Sequence, residues 1–294
     1  MSAETLARTL GGRRSGRTWL ACCPAHDDRE PSLAIRDGDD GRVLVHCHAG
    51  CDQRTVIDVL RRRGLWDSTD RPSALRPGPS SSAPATDPDA EQRIAAAVRI
   101  WDASHDARGT PVATYLSSRG LVLPFSGRIR FHTALTHSTG TVWPAMVGLV
   151  RDAADQPIGV HRTFLARDGS GKAPVSPAKM ALGPIRGGAV RLAKAAKKIV
   201  VGEGIETVLS VMQSTGVPGW AALSTSGLRT LVLPRLVEEV VVLADADEPG
   251  EAAARDAAAR WVHEGRRVRI ARPDEGYKDF NDMLRGQVGP RRVA

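Results

Sequence analysis

Hydrophobic positions along the chain follow three different rhythms. Near the N-terminus, Leu33–Ile35 and Val43–Val45 are short apolar runs around a Gly/Asp-rich stretch, which predicts a β-hairpin. From Glu91 to Arg108, Ile94, Val98 and Trp101 recur at helical spacing, with Asp89 placed to cap the start. Between 142 and 166, short apolar runs flank a turn at Asp152–Gln156, which predicts antiparallel strands. From Lys197 the pattern changes. IVVGE, AALST, VVVLAD and RVRIAR read as strands, and ETVLSVMQSTG and GEAAARDAAARWVHEG, which lie between them, read as helices. Strand–helix alternation of this kind predicts a parallel α/β sheet.

These rhythms divide the chain. Residues 68–90 are rich in Pro, Ser and Ala and lack apolar periodicity, so they read as a flexible linker. The expected organisation is a small unit over 1–67, the linker over 68–90, a middle subdomain over 91–196 and an α/β domain over 197–294. The fold class is multidomain α/β, with an α+β middle.

Charge sharpens the picture. The chain of 294 residues carries 41 Lys plus Arg against 33 Asp plus Glu, a net charge of +8. Residues 119–194 hold 11 basic and 3 acidic side chains, a difference of +8, so the excess sits in the middle segment. A localised basic surface suits a polyanion partner. No apolar run reaches the ~18 residues of a membrane span, and the N-terminus lacks the apolar core of a secretory signal. A cytoplasmic protein without a membrane partner is therefore expected.

All four cysteines lie between Cys22 and Cys51. Clustered thiols in a reducing compartment suggest metal rather than disulfides. Cys23-x2-His26 and Cys47-x3-Cys51, held by the predicted hairpin, would supply four ligands to a structural Zn²⁺. Cys22 and His48 are possible substitutes. A unit of this size has little core, and a metal would help hold it.

In the α/β segment, Glu203 follows one apolar strand, and Asp245 and Asp247 follow another. The carboxyl ends of neighbouring parallel strands share one edge, so the three acids should meet there. Clustered carboxylates repel unless a cation lies among them, and hard oxygen ligands suit Mg²⁺ or Mn²⁺. Gly202, Gly204 and Gly250 allow tight turns beside these acids. Lys278-Asp279-Phe-Asn281-Asp282 adds acidic groups near the last strand. Glu206 reads as a support for a helix N-terminus and Asp282 as a helix cap. Gly169-Ser-Gly171-Lys172 lacks the first Gly and the final Ser/Thr of a phosphate loop and reads as a turn. His132, His137 and His161 read as core or surface residues, and Trp143 and Trp220 as core rather than base-stacking platforms.

Glu203 together with Asp245-x-Asp247 resembles the Toprim domain of bacterial-type primases, topoisomerases and some nucleases. Gly202-Glu203-Gly-Ile-Glu206-Thr and Lys278-Asp279-Phe-Asn281-Asp282 resemble the versions in phage- and plasmid-borne primases, and the Cys23–Cys51 ribbon is similar to the zinc-binding domain that precedes Toprim there. Trp143-Pro-Ala-Met, Gly159-Val-His-Arg162 and Ala178-Lys179-Met180 are similar to the basic subdomain of a primase core. The last cysteines here are spaced by three residues, where primases usually have two.

The resemblance implies a DNA primase that makes short RNA primers from ribonucleoside triphosphates on single-stranded DNA, in phage or mobile-element replication, with a possible replicative helicase as partner. It implies two divalent ions held by Asp245 and Asp247, with Glu203 as a further metal ligand or as an acid/base, and Asp279 and Asp282 as secondary candidates. Arg162 and Lys179, with Lys278, would bind nucleotide or template, and Arg29, Arg36 and Arg42 of the ribbon would contact DNA. A metal-dependent Toprim nuclease and a non-catalytic DNA-binding adaptor for a helicase are the alternative readings.

Overall fold

The structure is a computed structural model. It describes residues 2–16, 18–26, 28, 31–38, 42–47, 51, 53–66, 88–124 and 127–286. The 68–87 part of the expected linker, together with His48 and Arg29, lies outside the described residues. The chain divides into two compact units, Met1–Ala83 and Pro84–Ala294. No helix among the described residues is long and apolar enough to cross a membrane.

The first unit runs α1 (Ala3–Thr9), β1 (Arg13–Ser15), β2 (Thr18–Ala21), β3 (Leu33–Asp37), β4 (Val43–Cys47) and α2 (Gln53–Arg62). Its four strands form one antiparallel sheet in sequence order. The expected hairpin is β3–β4, with Leu33 opposite Cys47 and Ile35 opposite Val45. Ser2 caps α1 by accepting a hydrogen bond from the Thr5 N–H. The core is small: Leu6, Leu33, Ile35, Val56 and Leu60 are fully buried, together with Cys23 and Cys47.

The second unit opens with α3 (Pro88–Asp102), β5 (His105–Asp106), α4 (Pro111–Ser118), β6 (Ile129–Thr136), β7 (Val142–Arg151), β8 (Pro157–Phe164), β9 (Lys179–Leu182) and β10 (Ala189–Arg191). It continues with β11 (Lys198–Gly202), α5 (Ile205–Thr215), β12 (Gly219–Ala221), α6 (Thr225–Thr230), β13 (Glu239–Leu243), α7 (Glu248–His263), β14 (Arg267–Ala271) and α8 (Phe280–Leu284). One sheet spans both halves of this unit. Its order is β14-β13-β11-β12-β10-β7-β6-β5, with β8 paired to β7 and β9 to β8.

Pairing is parallel from β14 to β12 and antiparallel beyond. The expected parallel α/β sheet and antiparallel middle are therefore joined edge to edge. Val200, Val201, Val240 and Val242 fill the parallel strands, and each is nearly or fully buried. Burial on both faces explains why these strands read as unbroken apolar runs.

One expected strand is shorter in the fold. AALST ends as a strand at Ala221, and Ser224 instead caps α6 through the Gly227 N–H. Leu223 between them has φ +75°, a left-handed conformation that costs a non-glycine residue about 1 kcal/mol or more. Its N–H donates to the carbonyl of Glu203 at 2.9 Å, so this strained residue clamps the backbone at the end of β11.

Candidate active site

Parallel pairing in register brings the ends of β11 and β13 together: Gly202 lies opposite Leu243, and Leu243 opposite Ala271. The chain therefore leaves both strands on one rim, with Glu203 after β11 and Asp245 after β13. The Ala246 N–H donates to the carbonyl of Lys278 at 3.0 Å, which draws the Lys278–Asp279 segment to the same rim. Asp247 caps α7 by accepting from the Gly250 N–H at 2.7 Å. A Cβ on residue 250 would lie 2.9 Å from Asp247 Oδ1, so a glycine is needed for this approach.

The acids feel one another. Burial and the charges of Asp245 and Asp247 push the Glu203 carboxyl up to about 7. Burial and the charges of Asp279 and Asp247 push Asp245 up to about 6. Glu203 Oε1 and Asp245 Oδ1 are buried and have no hydrogen-bond partner. Buried polar atoms are rarely left so, and two carboxylate oxygens without donors suit a divalent cation. The three acids share a rim but are not drawn into a tight cluster. Among the described residues, the group of three or more ligand atoms lying within 4.8 Å of one another is Cys23, His26, Cys47 and Cys51.

These shifts set a pH dependence. The native state holds protons on Glu203 and Asp245 that the unfolded chain releases from about pH 4 to about pH 7. Where the native state binds more protons, stability falls as pH rises. The metal-free protein should therefore lose thermal stability across that window. Mg²⁺ or Mn²⁺ should raise the melting temperature more at about pH 8 than at about pH 5.5, where protons compete. Equal shifts in a thermal-denaturation series would contradict the cation reading.

The basic residues expected to serve the site divide by strand register. Thr163 pairs with Lys179 and Arg162 with Met180. Because successive side chains alternate between faces, Lys179 and Arg162 stand on opposite sides of β8–β9. Met180 and Leu182 pack with Phe164 and Ala97 of α3, and Arg162 shares that side, its guanidinium over Phe164 and Nη2 donating to the Ala181 carbonyl. Lys179 faces the parallel α/β half. Its Nζ donates to Glu206 Oε2 at 2.9 Å, and Tyr115 Oη donates to Glu206 Oε1 at 2.7 Å.

Glu206 thus does more than support the N-terminus of α5. It is a buried anion joining α4, α5 and β9. Burial works to raise its pKa, but Lys179 and Tyr115 hold it down to about 2. Ser210 and Asn281 extend this buried chain: Asn281 Nδ2 donates to Ser210 Oγ at 3.1 Å and to the Arg119 carbonyl at 2.9 Å. Replacing Glu206 with Ala leaves Lys179 unpaired and the Tyr115 hydroxyl without its acceptor. Because Lys179 is a third exposed and partly screened, the loss should be about 2–3 kcal/mol, seen as a lower chemical-denaturation midpoint.

Several groups were not legible as site residues from sequence. Tyr115, Ser118, Arg119, Ser170, Lys172 and Arg285 line a cavity of about 450 Å³. Lys172 belongs to the Gly169–Lys172 segment, which is a turn as expected, closed by the Ser170 N–H on Asp168. Burial and the nearby cations Lys179 and Arg119 lower the Lys172 pKa, while Glu206 and Asp279 oppose that shift, so the cavity lies within electrostatic reach of the acidic rim. Asp279, not Asp282, caps α8, accepting from the Asp282 N–H at 2.8 Å. Lys278 is exposed. His161 is buried and held down to about 4 by burial and nearby cations, and Trp220 is fully buried.

In the first unit, Cys23, His26, Cys47 and Cys51 converge, and Cys22 stays outside the cluster. Tetrahedral Zn²⁺ with bonds of about 2.0–2.3 Å places its ligand atoms about 3.3–3.8 Å apart, and these four ligand atoms all lie within 4.8 Å of one another. Burial and the neighbouring Cys47 and Cys51 push the Cys23 thiol up to about 12, against the lowering pull of a backbone hydrogen bond from Ala25. Only a bound cation makes thiolates favourable in such a place. The opposite side of this sheet carries a depression of about 610 Å³. Leu20, Ala34 and Leu44 floor it, and Thr18, Arg36 and His46 lie among its lining residues.

Two segments of the chain match known domain families. Residues 198–289 match the Toprim domain family, and residues 91–192 match a domain family of unknown function, DUF7146. The α/β half of the second unit is a Toprim domain. The chain is similar in structure to a DNA primase domain from Pseudomonas aeruginosa, at 19% identity and TM-score 0.44 over 69% of this chain and 76% of that one. It is similar to the zinc-binding and RNA polymerase domains of the Aquifex aeolicus primase, at 15% identity and TM-score 0.44 over 97% and 80%. It is also similar to the primase fragment of the bacteriophage T7 primase-helicase, at 18% identity and TM-score 0.41 over 91% and 95%. No curated protein matches the chain.

Proposed function

We propose that the protein is a DNA primase: it joins ribonucleotides into short RNA primers on single-stranded DNA by divalent-metal-dependent nucleotidyl transfer. The observation that carries this reading is the pair of buried, partnerless oxygens, Glu203 Oε1 and Asp245 Oδ1, at the rim of a Toprim sheet beside a cation-lined cavity. Asp245 and Asp247, with Glu203 and Asp279, would hold Mg²⁺ or Mn²⁺. When bound, the ions neutralise charge on the phosphates and on the leaving group.

The chemistry asked of the chain is limited. The 3′-hydroxyl oxygen attacks the α-phosphorus of a ribonucleoside triphosphate. A new P–O bond forms, the bond from the α-phosphorus to the bridging oxygen breaks, and pyrophosphate leaves. The hydroxyl proton would pass to Glu203 where that carboxylate is left free of the ions, and otherwise to solvent. Lys172, Arg119 and Arg285 supply positive charge for the triphosphate. Lys179 reaches the same region from its pairing with Glu206, and exposed Lys278 can contact template phosphates. Arg162 faces the α3 side and would meet template rather than the reacting phosphates. Zn²⁺ held by Cys23, His26, Cys47 and Cys51 would stabilise the ribbon, whose Arg36 and Arg42, with the Leu44-floored depression, would hold unpaired template bases. Such synthesis would serve a replicative helicase in mobile-element or phage replication.

The test is incorporation of labelled ribonucleotides on single-stranded DNA with Mg²⁺ or Mn²⁺. Short RNA products are expected. Nicking of plasmid DNA without nucleotides, and no RNA on any template, would replace this reading with a nuclease.

A further inference from the structure

We infer that Asp28 is a positioning residue of the Cys/His metal site, and that it turns His26 to bind metal through Nδ1. This rests on reading Cys23, His26, Cys47 and Cys51 as a metal site, but not on the nucleotidyl-transfer reading. The Asp28 side chain is only 8% exposed. Its Oδ2 accepts two hydrogen bonds of 2.6 Å, from the backbone N–H of Cys23 and from the Ser32 hydroxyl. Its Oδ1 lies 3.5 Å from His26 Nε2. Ser32 Oγ in turn lies 3.6 Å from Cys47 Sγ. One buried carboxylate therefore reaches three of the four ligand residues, two directly and one through a hydroxyl.

The orientation of the imidazole follows. His26 Nδ1 is 3.1 Å from Cys51 Sγ, on the ligand side, while Nε2 looks at Asp28. A neutral imidazole has one N–H and one lone pair. With the lone pair on Nδ1 directed at a metal, the proton sits on Nε2 and faces a carboxylate. The other tautomer would set a lone pair against that carboxylate. Carboxylates that orient metal-bound histidines in this manner typically affect metal affinity 10–100-fold. Asp28 also fixes the backbone of Cys23, so its loss would loosen both ligands of the first knuckle.

The experiment uses the full chain loaded with zinc. Zinc content is measured, and then the rate of zinc transfer to a chromophoric chelator for wild type, Asp28→Asn and Ser32→Ala. A long-range ¹H–¹⁵N spectrum of wild type reads which nitrogen of His26 is bound. One zinc per chain is expected, with Nδ1 bound and Nε2 protonated. Release should be roughly 10–100-fold faster in Asp28→Asn and accelerated less in Ser32→Ala. Release within twofold of wild type in both variants, or binding through Nε2, overturns the inference. Should Asp28→Asn fail to fold, Ser32→Ala and the wild-type spectrum still decide it. A wild-type chain that takes up no zinc overturns the metal site itself, and the role of Asp28 with it.

Discussion

Stripping metal from the Cys/His cluster should unfold the first unit and leave the second intact. Among its described residues, the first unit has a core of five fully buried aliphatic side chains of Leu, Ile or Val, and two of its cysteines are buried beside them. A core of that size contributes only a few kcal/mol. Structural zinc contributes about 10–16 kcal/mol of apparent binding energy, which in small metal domains is folding energy. Cys47→Ser should act like the chelator, since Cys47 is one of the four converging residues and is buried in the core beside Leu33, its partner across the hairpin. Hydrogen exchange is the direct readout. Amides of β2–β4 should lose protection on chelation, while β11 and β13 keep theirs. Protection in β2–β4 that survives complete zinc removal would show that the apolar core suffices alone.

Asp245→Asn should abolish primer synthesis without unfolding the protein. Asp245 Oδ1 is buried and unpaired, and its ionised form is disfavoured by burial and by Asp279 and Asp247. An amide removes that repulsion, so the metal-free variant should be as stable as wild type or more so near neutral pH. The same change would remove a charge from the proposed cation site. The expected loss of labelled ribonucleotide incorporation is on the order of a hundredfold to a thousandfold, the scale of deleting one electrostatic group from an active site. Metal-induced thermal stabilisation should fall with it. An Asp245→Asn protein as active as wild type would remove the acid rim from the mechanism.

What the sequence made legible follows from periodicity. The apolar runs ending at Gly202 and Leu243 announced buried parallel strands, and parallel register then placed Glu203 and Asp245 on one rim. The cysteine spacing announced the cluster in the same way. What stayed hidden depends on register and on distant partners. Thr163, not Arg162, pairs with Lys179, so two basic residues expected to work together lie on opposite faces. Glu206 finds its partners 27 and 91 residues away, at Lys179 and Tyr115. The cation cavity is assembled from α4, the turn around Gly171 and the end of α8. The Gly169–Lys172 turn fits no phosphate-loop pattern, yet it brings Lys172 to that cavity. Asp28 sits outside any ligand spacing, and only its burial and bonding mark it.

Whether Glu203, Asp245 and Asp247 grip divalent cations decides the proposed mechanism. Anomalous diffraction from a crystal of the full chain soaked in Mn²⁺ tests it most directly. A Mn²⁺ peak within coordination distance of Glu203 and Asp245, with Asp247 or Asp279 completing the shell, is the expected result. A fully soaked crystal with no Mn²⁺ at that rim, and Glu203 and Asp245 still unliganded, would contradict it.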